Sequence, residues 1–375
     1  MPAAVVNCCI TTLLFLARLV TSTVPTFPCN TSRSFPPARS VHQLRPQDVG
    51  IIGAVGDSIS AGVGATATNI LEVFNEDRGV SFVTGGDGSW YDTLTLANII
   101  KQFNPNLKGM SFGKTRAFIP LSKQRGVRAG LNMSVSRSLA RDVPDMVKQL
   151  VRTVRRTIPE WRKMWKVVTI LVGHNDVCNH TCRSTFLQDI GIDTKVDVSP
   201  KAFGKNIRQA IKTLYTSLPY TFVILLPIGD LSQILAQPSL PMPCTLAHWF
   251  VCPCWLTEQG RSSIPILAEH YRQELYNIAT DTKFAREDFT VEVMPTFSGH
   301  LPCVQSGVSH CKIHPHILAP DCLHLSKTAN SIFGRNLWNN LFQPWGNKEL
   351  NYGFQDKLEC PDEKHPFFVT KFNSQ

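Results

Sequence analysis

Ile51-Ile52-Gly53-Ala54-Val55-Gly56-Asp57-Ser58 is the stretch that decides the fold. Its apolar first half is typical of a buried strand, and the small residues that follow predict a sharp turn. A helix beginning near Ser58 would hold the serine hydroxyl above the edge of a sheet, close to the positive end of the helix dipole. A lone Gly-Asp-Ser is more often a simple capped turn, so Ser58 becomes a candidate nucleophile only together with two later segments.

A candidate base follows late in the chain, in Asp321-Cys322-Leu323-His324. His324 would take the Ser58 proton and return it to a leaving alcohol. Asp321, on the same loop, would accept a hydrogen bond from the other ring nitrogen and fix the tautomer. Without the other segments this pair would be read as a surface turn.

A candidate oxyanion donor lies between these two segments. Gly173-His174-Asn175-Asp176 follows the apolar run 167–172, as the end of a second strand would. The Asn175 side-chain amide would donate to an oxyanion alongside the backbone N–H of Ser58. Asp176 is interpreted as a structural partner rather than a catalytic acid. A nucleophile, a donor and a base with its orienter, in this order, predict a serine esterase.

These three segments resemble blocks I, III and V of the GDSL/SGNH hydrolases. Flanking segments resemble one branch of that family, the animal membrane-associated phospholipase B type: Val41-His42-Gln43-Leu44-Arg45-Pro46, Gly85-Gly86-Asp87-Gly88-Ser89-Trp90, Phe103-Asn104-Pro105-Asn106-Leu107, Asp288-Phe289-Thr290-Val291, Leu337-Trp338-Asn339-Asn340 and Cys360-Pro361. The resemblance covers roughly residues 40–372. It implies hydrolysis of fatty-acyl esters of glycerophospholipids, with phospholipase A and lysophospholipase activity, through an acyl-serine intermediate and without metal or cofactor.

One block departs from the family pattern. Block II usually reads Asn-x-Ala-x-x-Gly-Ala, and the glycine N–H is a third oxyanion donor. Here Asn132-Met133-Ser134-Val135-Ser136-Arg137-Ser138 puts Arg137 at the glycine position. Arginine keeps a backbone N–H, but positive φ costs it energy and its side chain would crowd an acyl chain. The predicted oxyanion hole is therefore Ser58, Asn175 and Arg137. His174 also replaces a common glycine of block III.

The apolar runs predict an α/β fold. Five of them alternate with helical patterns, at 50–56, about 131–135, 167–172, 221–227 and 289–294. Such alternation is typical of a parallel sheet with helices on both faces. We expect the three-layer α/β/α SGNH-hydrolase fold, flavodoxin-like, with about five strands in the order 2-1-3-4-5 and the site at their carboxyl ends. The stretches 57–130 and 228–262 are interpreted as insertions. A helix beginning after Ser326 should run to about Phe342.

The expected organisation is a leader and one domain. Residues 1–24 contain a short apolar stretch followed by small residues, which is typical of a secretory signal peptide, although an uncleaved signal anchor is the rival interpretation. Residues 25–375 are expected to form a single lipase domain with a short tail from about 356. No later segment approaches the roughly 18 apolar residues that a membrane span needs. We therefore expect a secreted protein, and a monomer.

Cysteines and sequons agree with an extracellular site. The chain has 12 cysteines, and two of them, Cys8 and Cys9, fall in the predicted leader, so an even number remains. Cys178 with Cys182 is the pair we expect to be bridged. Three glycosylation sequons begin at Asn30, Asn132 and Asn179. The cluster Cys303, His310, Cys311, His314 and His316 is interpreted as a disulfide-stapled loop, because its spacing fits no usual zinc site.

The formal charge of +10 raises the question of an acidic partner. A basic cluster is formed by Arg152, Arg155, Arg156, Arg162, Lys163 and Lys166, with Trp161 and Trp165 among them. A solvated helix face is the plain interpretation, and peripheral contact with anionic membranes is the sharper one. Nucleic acid is not expected, because the chain has no recognised binding module.

Three functions are weighed against each other. The first is the phospholipase B-type esterase, acting on phospholipid or lysophospholipid. The second is a catalytically weakened, lipid-binding family member, which Arg137 motivates. The third is an esterase for short or sugar esters, because one fold hosts many chemistries.

Overall fold

The computed structural model describes residues 25–32, 36–117, 119, 128–182, 196–237, 240–304, 312–350 and 353–374. The predicted signal peptide at 1–24 lies outside the described residues. The predicted α/β architecture is confirmed.

Four parallel strands form the central sheet, and every residue in them is buried. Between the first two of these strands the chain also makes a short antiparallel pair, so the strands in chain order are β1 Val49–Gly56, β2 Asn75–Glu76, β3 Thr115–Arg116, β4 Trp165–Leu171, β5 Thr221–Leu225 and β6 Phe289–Val293. The sheet order is β1-β4-β5-β6. Strands buried on both faces explain the continuous apolar runs in the sequence.

The fifth predicted strand, at about 131–135, is wrong as a regular strand. The segment does lie beside β1 on its open side, where Met133 N donates to Ala54 O (2.8 Å) and Val135 N to Gly56 O (3.0 Å). It makes only an isolated parallel bridge at Asn132. The Asn132 side chain accepts the N–H of Ser134 and so turns the chain locally. The segment thus lies where the order 2-1-3-4-5 places its second strand, but it does not form a regular strand.

Helices cover both faces of the sheet. In chain order they are α1 Ser58–Ala61, α2 Leu96–Phe103, α3 Val143–Thr157, α4 His174–His180, α5 Pro200–Ser217, α6 Ser232–Leu235, α7 Met242–Val251, α8 Glu258–Ala279 and α9 Lys327–Asn340. Helices α3, α5 and α8 pack side by side, with α3 against β1 and α8 against β6. On the other face Trp338 of α9 stacks on Phe103 of α2, and Phe368 joins Trp338 to Phe222 of β5.

Two helix starts follow from capping residues. The Oγ of Ser199 accepts the N–H of Ala202 (3.2 Å), and Pro200 occupies the first helical position of α5. The Oγ of Ser326 accepts the N–H of Ala329 (3.1 Å) and starts α9. The predicted helix after Ser326 is confirmed, and it ends at Asn340.

The predicted Cys178–Cys182 bridge is wrong. Cys178 pairs with Cys252, and Cys182 pairs with Cys254. Both cysteines lie about one turn apart at the end of α4 and face the same neighbouring segment, so they bond across to it rather than to each other. The other bridges between described residues are Cys29–Cys360 and Cys244–Cys322. Disulfides in such number fit an extracellular protein.

None of the helices in the described part of the chain is both long and apolar enough to cross a membrane.

Candidate active site

Ser58 lies just past the carboxyl end of β1, as the first residue of α1. The Oδ1 atom of Asp57 accepts the N–H of Ile59 (3.1 Å) and caps this short helix. Gly56 must be small, because a Cβ there would lie 2.1 Å from the carbonyl oxygen of Leu171 in β4. The close approach of the two strands therefore sets the point at which the chain turns toward Ser58.

His324 contacts both of its predicted partners. Its Nε2 atom lies 2.9 Å from the Ser58 Oγ, and its Nδ1 atom lies 2.5 Å from the Asp321 Oδ2. The other Asp321 oxygen accepts the backbone N–H groups of Leu323 (3.1 Å) and His324 (3.0 Å). The two backbone bonds thus fix the carboxylate that orients the imidazole. Because the carboxylate accepts at Nδ1, this nitrogen carries the proton in the neutral ring.

Asp321 and His324 are both buried, and each stabilises the charged form of the other. Burial by itself lowers the pKa of His324, but the Asp321 carboxylate and its hydrogen bond outweigh it and raise that pKa above its ordinary value. Burial by itself raises the pKa of Asp321, but His324 and the two backbone N–H groups outweigh it and lower that pKa. An imidazolium formed at His324 would therefore be stabilised, as a general base requires.

Three residues that could donate an N–H to an oxyanion belong to the same part of the molecule as the Ser58 hydroxyl. Ser58, Arg137 and Asn175 all line one cleft. Among the described residues, the backbone N–H groups of Ser58 and Arg137 have no hydrogen-bond acceptor. The Asn175 Nδ2 donates one hydrogen to Ser138 O (3.0 Å) and has a second to offer. The arrangement fits an oxyanion hole.

Arg137 has a φ of 67°, in the left-handed region that favours glycine. A non-glycine residue adopts this conformation at a cost of about 1–2 kcal/mol. The arginine thus follows the backbone path expected of the family's glycine. Its side chain is exposed at the cleft.

A buried ion pair supports the segment before Arg137. Glu76 accepts both the hydroxyl (2.6 Å) and the N–H (3.3 Å) of Ser136. Arg78 donates to Glu76 (2.7 Å) and to Ser134 O (2.8 Å). Nothing in the spacing of Glu76 and Arg78 marked them in the sequence.

The segment after Arg137 is held by the block that contains Asn175. Besides the bond from Asn175 to Ser138, the carboxylate of Asp176 accepts the N–H of Ala140 at 3.1 and 3.2 Å. Burial, the largest cause, raises the pKa of Asp176 to about 7. Asp176 contacts backbone rather than the Ser58 hydroxyl, which fits the structural role expected of it.

The cleft at Ser58 has a volume of about 780 Å³ and is lined mainly by apolar side chains. Ile59, Val63 and Val73 form part of its wall, and Leu231, Ile234, Leu246, Phe250, Phe297 and Leu325 form much of the rest. A pocket of this size fits a drug-sized molecule or part of an acyl chain.

Comparisons with known proteins agree with this geometry. Residues 52–337 match the model of the GDSL-like Lipase/Acylhydrolase family. The chain belongs to this family. The members of this family are carboxylic ester hydrolases, and the family predicted from the sequence is confirmed.

Mammalian relatives are similar over most of the chain. Membrane-associated phospholipase B1 of Homo sapiens is 33% identical over 349 residues, which are 89% of this chain and 22% of the relative. The same protein of Mus musculus is 32% identical over 359 residues, 92% of this chain and 23% of the relative. The chain therefore spans between a fifth and a quarter of the length of these relatives.

Solved structures of bacterial enzymes are more distant. An extracellular lipase of Streptomyces rimosus is 16% identical with a TM-score of 0.36, over 75% of this chain and 94% of that one. A phospholipase A1 of Streptomyces albidoflavus is 13% identical with a TM-score of 0.37, over 76% and 95%. Similarity at this level says nothing about activity.

His174, at a common glycine position of the family, contacts the residue before Ser58. Its Nδ1 atom lies 2.9 Å from the Asp57 Oδ2, and Asp57 is fully buried. His174 also lines the cleft. The sequence marked His174 as a departure from the family but gave no sign of this partner.

The candidate base is tethered to an insertion. Cys322, between Asp321 and His324, is bonded to Cys244 of α7, and the buried His248 donates from Nε2 to Cys322 O (3.1 Å). Cys322 has a φ of 56°. The stretch 228–262, interpreted from the sequence as an insertion, thus contacts the loop that holds His324.

The remaining predicted sites are placed as follows. His310 and Cys311 lie outside the described residues, and Cys303 is disulfide-bonded. Within the described ranges no group of three His, Cys, Asp or Glu could hold a metal ion. Among the sequons, Asn30 is exposed, whereas Asn132 is fully buried and Asn179 is 5% exposed. The folded structure therefore leaves only Asn30 of the three open to modification.

Proposed function

We propose that this chain is a serine esterase of phospholipase B type that hydrolyses fatty-acyl esters of glycerophospholipids. The observation that carries the proposal is the 2.9 Å contact between His324 Nε2 and Ser58 Oγ, two residues that line an apolar cleft. We further propose that residues 1–24 are a secretory signal, and that the mature protein is a secreted monomer.

The reaction follows from the positions of the donors and the base. His324 takes the Ser58 proton as Oγ attacks the ester carbonyl, and the N–H groups of Ser58, Arg137 and Asn175 hold the resulting oxyanion. The C–O bond to the alcohol breaks, and His324 gives its proton to that alcohol. Water then enters and loses a proton to His324 as its oxygen attacks the acyl carbonyl. The bond between the acyl carbon and Ser58 Oγ breaks, the fatty acid leaves, and His324 returns the proton to Oγ.

A lipid substrate is supported by two observations. The walls of the cleft are mainly aliphatic and aromatic, which suits an acyl chain. The relatives at about a third identity are named phospholipase B1. The backbone of Arg137 argues against a weakened, lipid-binding protein, because its φ of 67° lies in the left-handed region that a glycine at this position could adopt.

Kinetics on two substrates test the proposal. The purified chain is assayed with a lysophospholipid and with a short-chain p-nitrophenyl ester, and Ser58→Ala serves as the control. We expect turnover of both by the wild type, with higher kcat/KM on the lysophospholipid, and none by Ser58→Ala. Turnover of the short ester alone would favour the short-ester function. No turnover of either would favour the lipid-binding function.

A further inference from the structure

We propose that the mouth of the cleft is a docking surface for a phospholipid layer, an inference that rests on the proposed function. The surface, here called the apolar rim, consists of the exposed side chains of the 3₁₀ turn Ile70–Phe74 and of helix α7: Leu71, Phe74, Met242, Leu246, Trp249 and Phe250.

The rim is unusually exposed for apolar side chains. Leu71 is 79% exposed and Met242 is 76% exposed, with Phe250 at 64% and Phe74 at 58%. Soluble monomers rarely show large contiguous apolar patches, and those that exist mark interaction sites. Single exposed apolar residues need no explanation, but these side chains come from two elements that meet at one opening.

The rim continues into the cleft. Phe74, Met242, Leu246 and Phe250 line the cleft around Ser58 and are exposed as well. An apolar path therefore runs from the outer surface to the candidate nucleophile. An acyl chain leaving a lipid layer could follow this path without crossing water, provided the layer touches the rim.

The charges on both sides of the opening suit a lipid layer. Helix α7 contains no Asp, Glu, Lys or Arg, and its only titratable side chain, His248, is buried and bonded to Cys322 O. The 3₁₀ turn itself contains one charged residue, the partly exposed Glu72. Beside the turn, Lys114 and Arg116 are exposed at β3, which pairs with the strand that follows Phe74, and the Lys114 Nζ also lies 3.1 Å from the Asp77 Oδ1. Apolar residues flanked by cations are typical of protein surfaces that lie in the interface of a membrane.

Disulfides fix the α7 side of the rim. Cys244 in α7 is bonded to Cys322, and Cys252 at its end is bonded to Cys178 of α4. The helix is thus tied to the segments that hold His324 and Asn175. A second copy of the chain seated on the rim would cover the opening, whereas a lipid layer seated there would deliver the substrate. The lipid layer is therefore the occupant we infer.

The basic cluster lies at the amino ends of the parallel strands, whereas Ser58 lies at their carboxyl ends. Arg155 and Arg156 end α3, and Arg162 and Lys163 precede the first residue of β4, whereas Ser58 follows the last residue of β1. At about 3.3 Å per residue, a strand of this length separates the two edges by roughly 20 Å. Anionic lipid held by this cluster would not reach the opening.

The test uses residues of the rim that do not line the cleft. Leu71→Ser with Trp249→Ser removes two exposed apolar side chains, and Phe372→Ser is the matched control. Phe372 is 54% exposed and contacts His42, whose neighbour Val41 donates to Glu287 O before β6, at the edge away from Ser58. Arg155→Glu with Arg162→Glu tests the basic cluster. All variants are made with Ser58→Ala, so that vesicles stay intact.

Cosedimentation with vesicles of phosphatidylcholine, with and without phosphatidylglycerol, gives the binding constant. We expect the rim variant to bind at least about tenfold more weakly, a difference of about 1.4 kcal/mol, and the control and cluster variants to bind like the parent. Equal binding by the rim variant, or weakening by the cluster variant alone, would overturn the proposal. A dimer that the rim variant dissociates, without vesicle binding by the parent, would show a second copy as the occupant and overturn it too.

The same variants with Ser58 intact separate this inference from the proposed function. On a short-chain soluble ester, the rim variant should match the wild type, because the change lies outside the cleft. Vesicle binding that depends on the rim, in a wild-type protein that hydrolyses no ester, would contradict the proposed function and leave the docking surface standing.

Discussion

The Nδ1 atom of His174 lies 2.9 Å from the Oδ2 atom of Asp57. The residue before the candidate nucleophile is therefore bonded to the residue before the candidate oxyanion donor. This contact joins the turn after β1 to the turn after β4, and it holds two of the three parts of the site at a fixed separation.

Loss of this contact should cost stability more than chemistry. His174→Ala leaves the buried Asp57 carboxylate with one hydrogen bond fewer, and we expect unfolding to become easier by about 1–3 kcal/mol. His174→Asn, which can still donate, should recover part of that loss. Thermal unfolding of the three proteins, monitored by circular dichroism, measures the effect. An unchanged Tm for His174→Ala would mean that the contact does not stabilise the fold.

Arg137→Gly should leave activity and stability nearly unchanged. The glycine relieves about 1–2 kcal/mol of left-handed strain but adds about 0.5–1 kcal/mol of chain entropy to be lost on folding. The N–H of residue 137 keeps its direction, so turnover should change far less than the 10²–10³-fold that a lost oxyanion donor costs. A gain of that size in kcat on a lysophospholipid would show instead that the wild-type arginine has turned its N–H away from the cleft.

The Cys244–Cys322 bridge should matter for turnover, beyond its effect on stability. A double Cys244→Ser, Cys322→Ser variant frees the loop that holds Asp321 and His324. The control is Cys29→Ser with Cys360→Ser, which opens a bridge between the two ends of the domain. Each should lower stability by about 2–5 kcal/mol. Assayed below both melting temperatures on a short ester, only the first should show a lower kcat, and equal kcat values would contradict a positioning role.

The pH dependence follows from the raised pKa of His324. The base works only when neutral, so the acid limb of kcat/KM should lie above 6.5, the ordinary value for histidine. Asp321→Asn removes the charge that raises this pKa, so in that variant the limb should move to lower pH while kcat falls. A pH profile of kcat/KM and kcat on a soluble ester, taken from below the ordinary histidine pKa of 6.5 to well above it, measures both.

The contributions of His324 and Asp321 to the free energy of unfolding should change in opposite directions as pH rises. The folded-state pKa of His324 is raised, so its contribution is present below 6.5 and is lost as pH rises through the folded value. The folded-state pKa of Asp321 is lowered, so its contribution is present above the ordinary 3.8 and is lost as pH falls through the folded value. The pair should therefore stabilise the fold most between those limits, and urea unfolding of wild type and Asp321→Asn across that window checks it.

The sequence was sufficient to predict the α/β architecture and several of its strands and helices. Buried strands such as 50–56 are predicted by apolar runs, and the start of α9 is predicted by Ser326, because these signals are local. His324 lies within hydrogen-bond reach of Ser58 on one side of its ring and of Asp321 on the other. Parallel strands bring their carboxyl ends to one edge, so residues distant in sequence meet there.

Contacts between distant segments were beyond the sequence. The cysteine pairing depends on where the 252–254 segment lies against α4, and ten cysteines allow too many connectivities to choose from spacing. The hydrogen bonds that Ser136 donates to Glu76 join residues that no periodicity relates. The apolar rim is composed of two short elements whose side chains look like ordinary core residues until their exposure is known.

Labelling of Ser58 tests the central claim most directly. A fluorophosphonate reacts with a serine only when that hydroxyl is activated by a base, and peptide mass spectrometry then locates the adduct. We predict one adduct, on Ser58, in the wild type, and a much slower reaction in His324→Ala, which lacks the base. An adduct on another residue, or equal labelling of Ser58 in both proteins, would contradict the account.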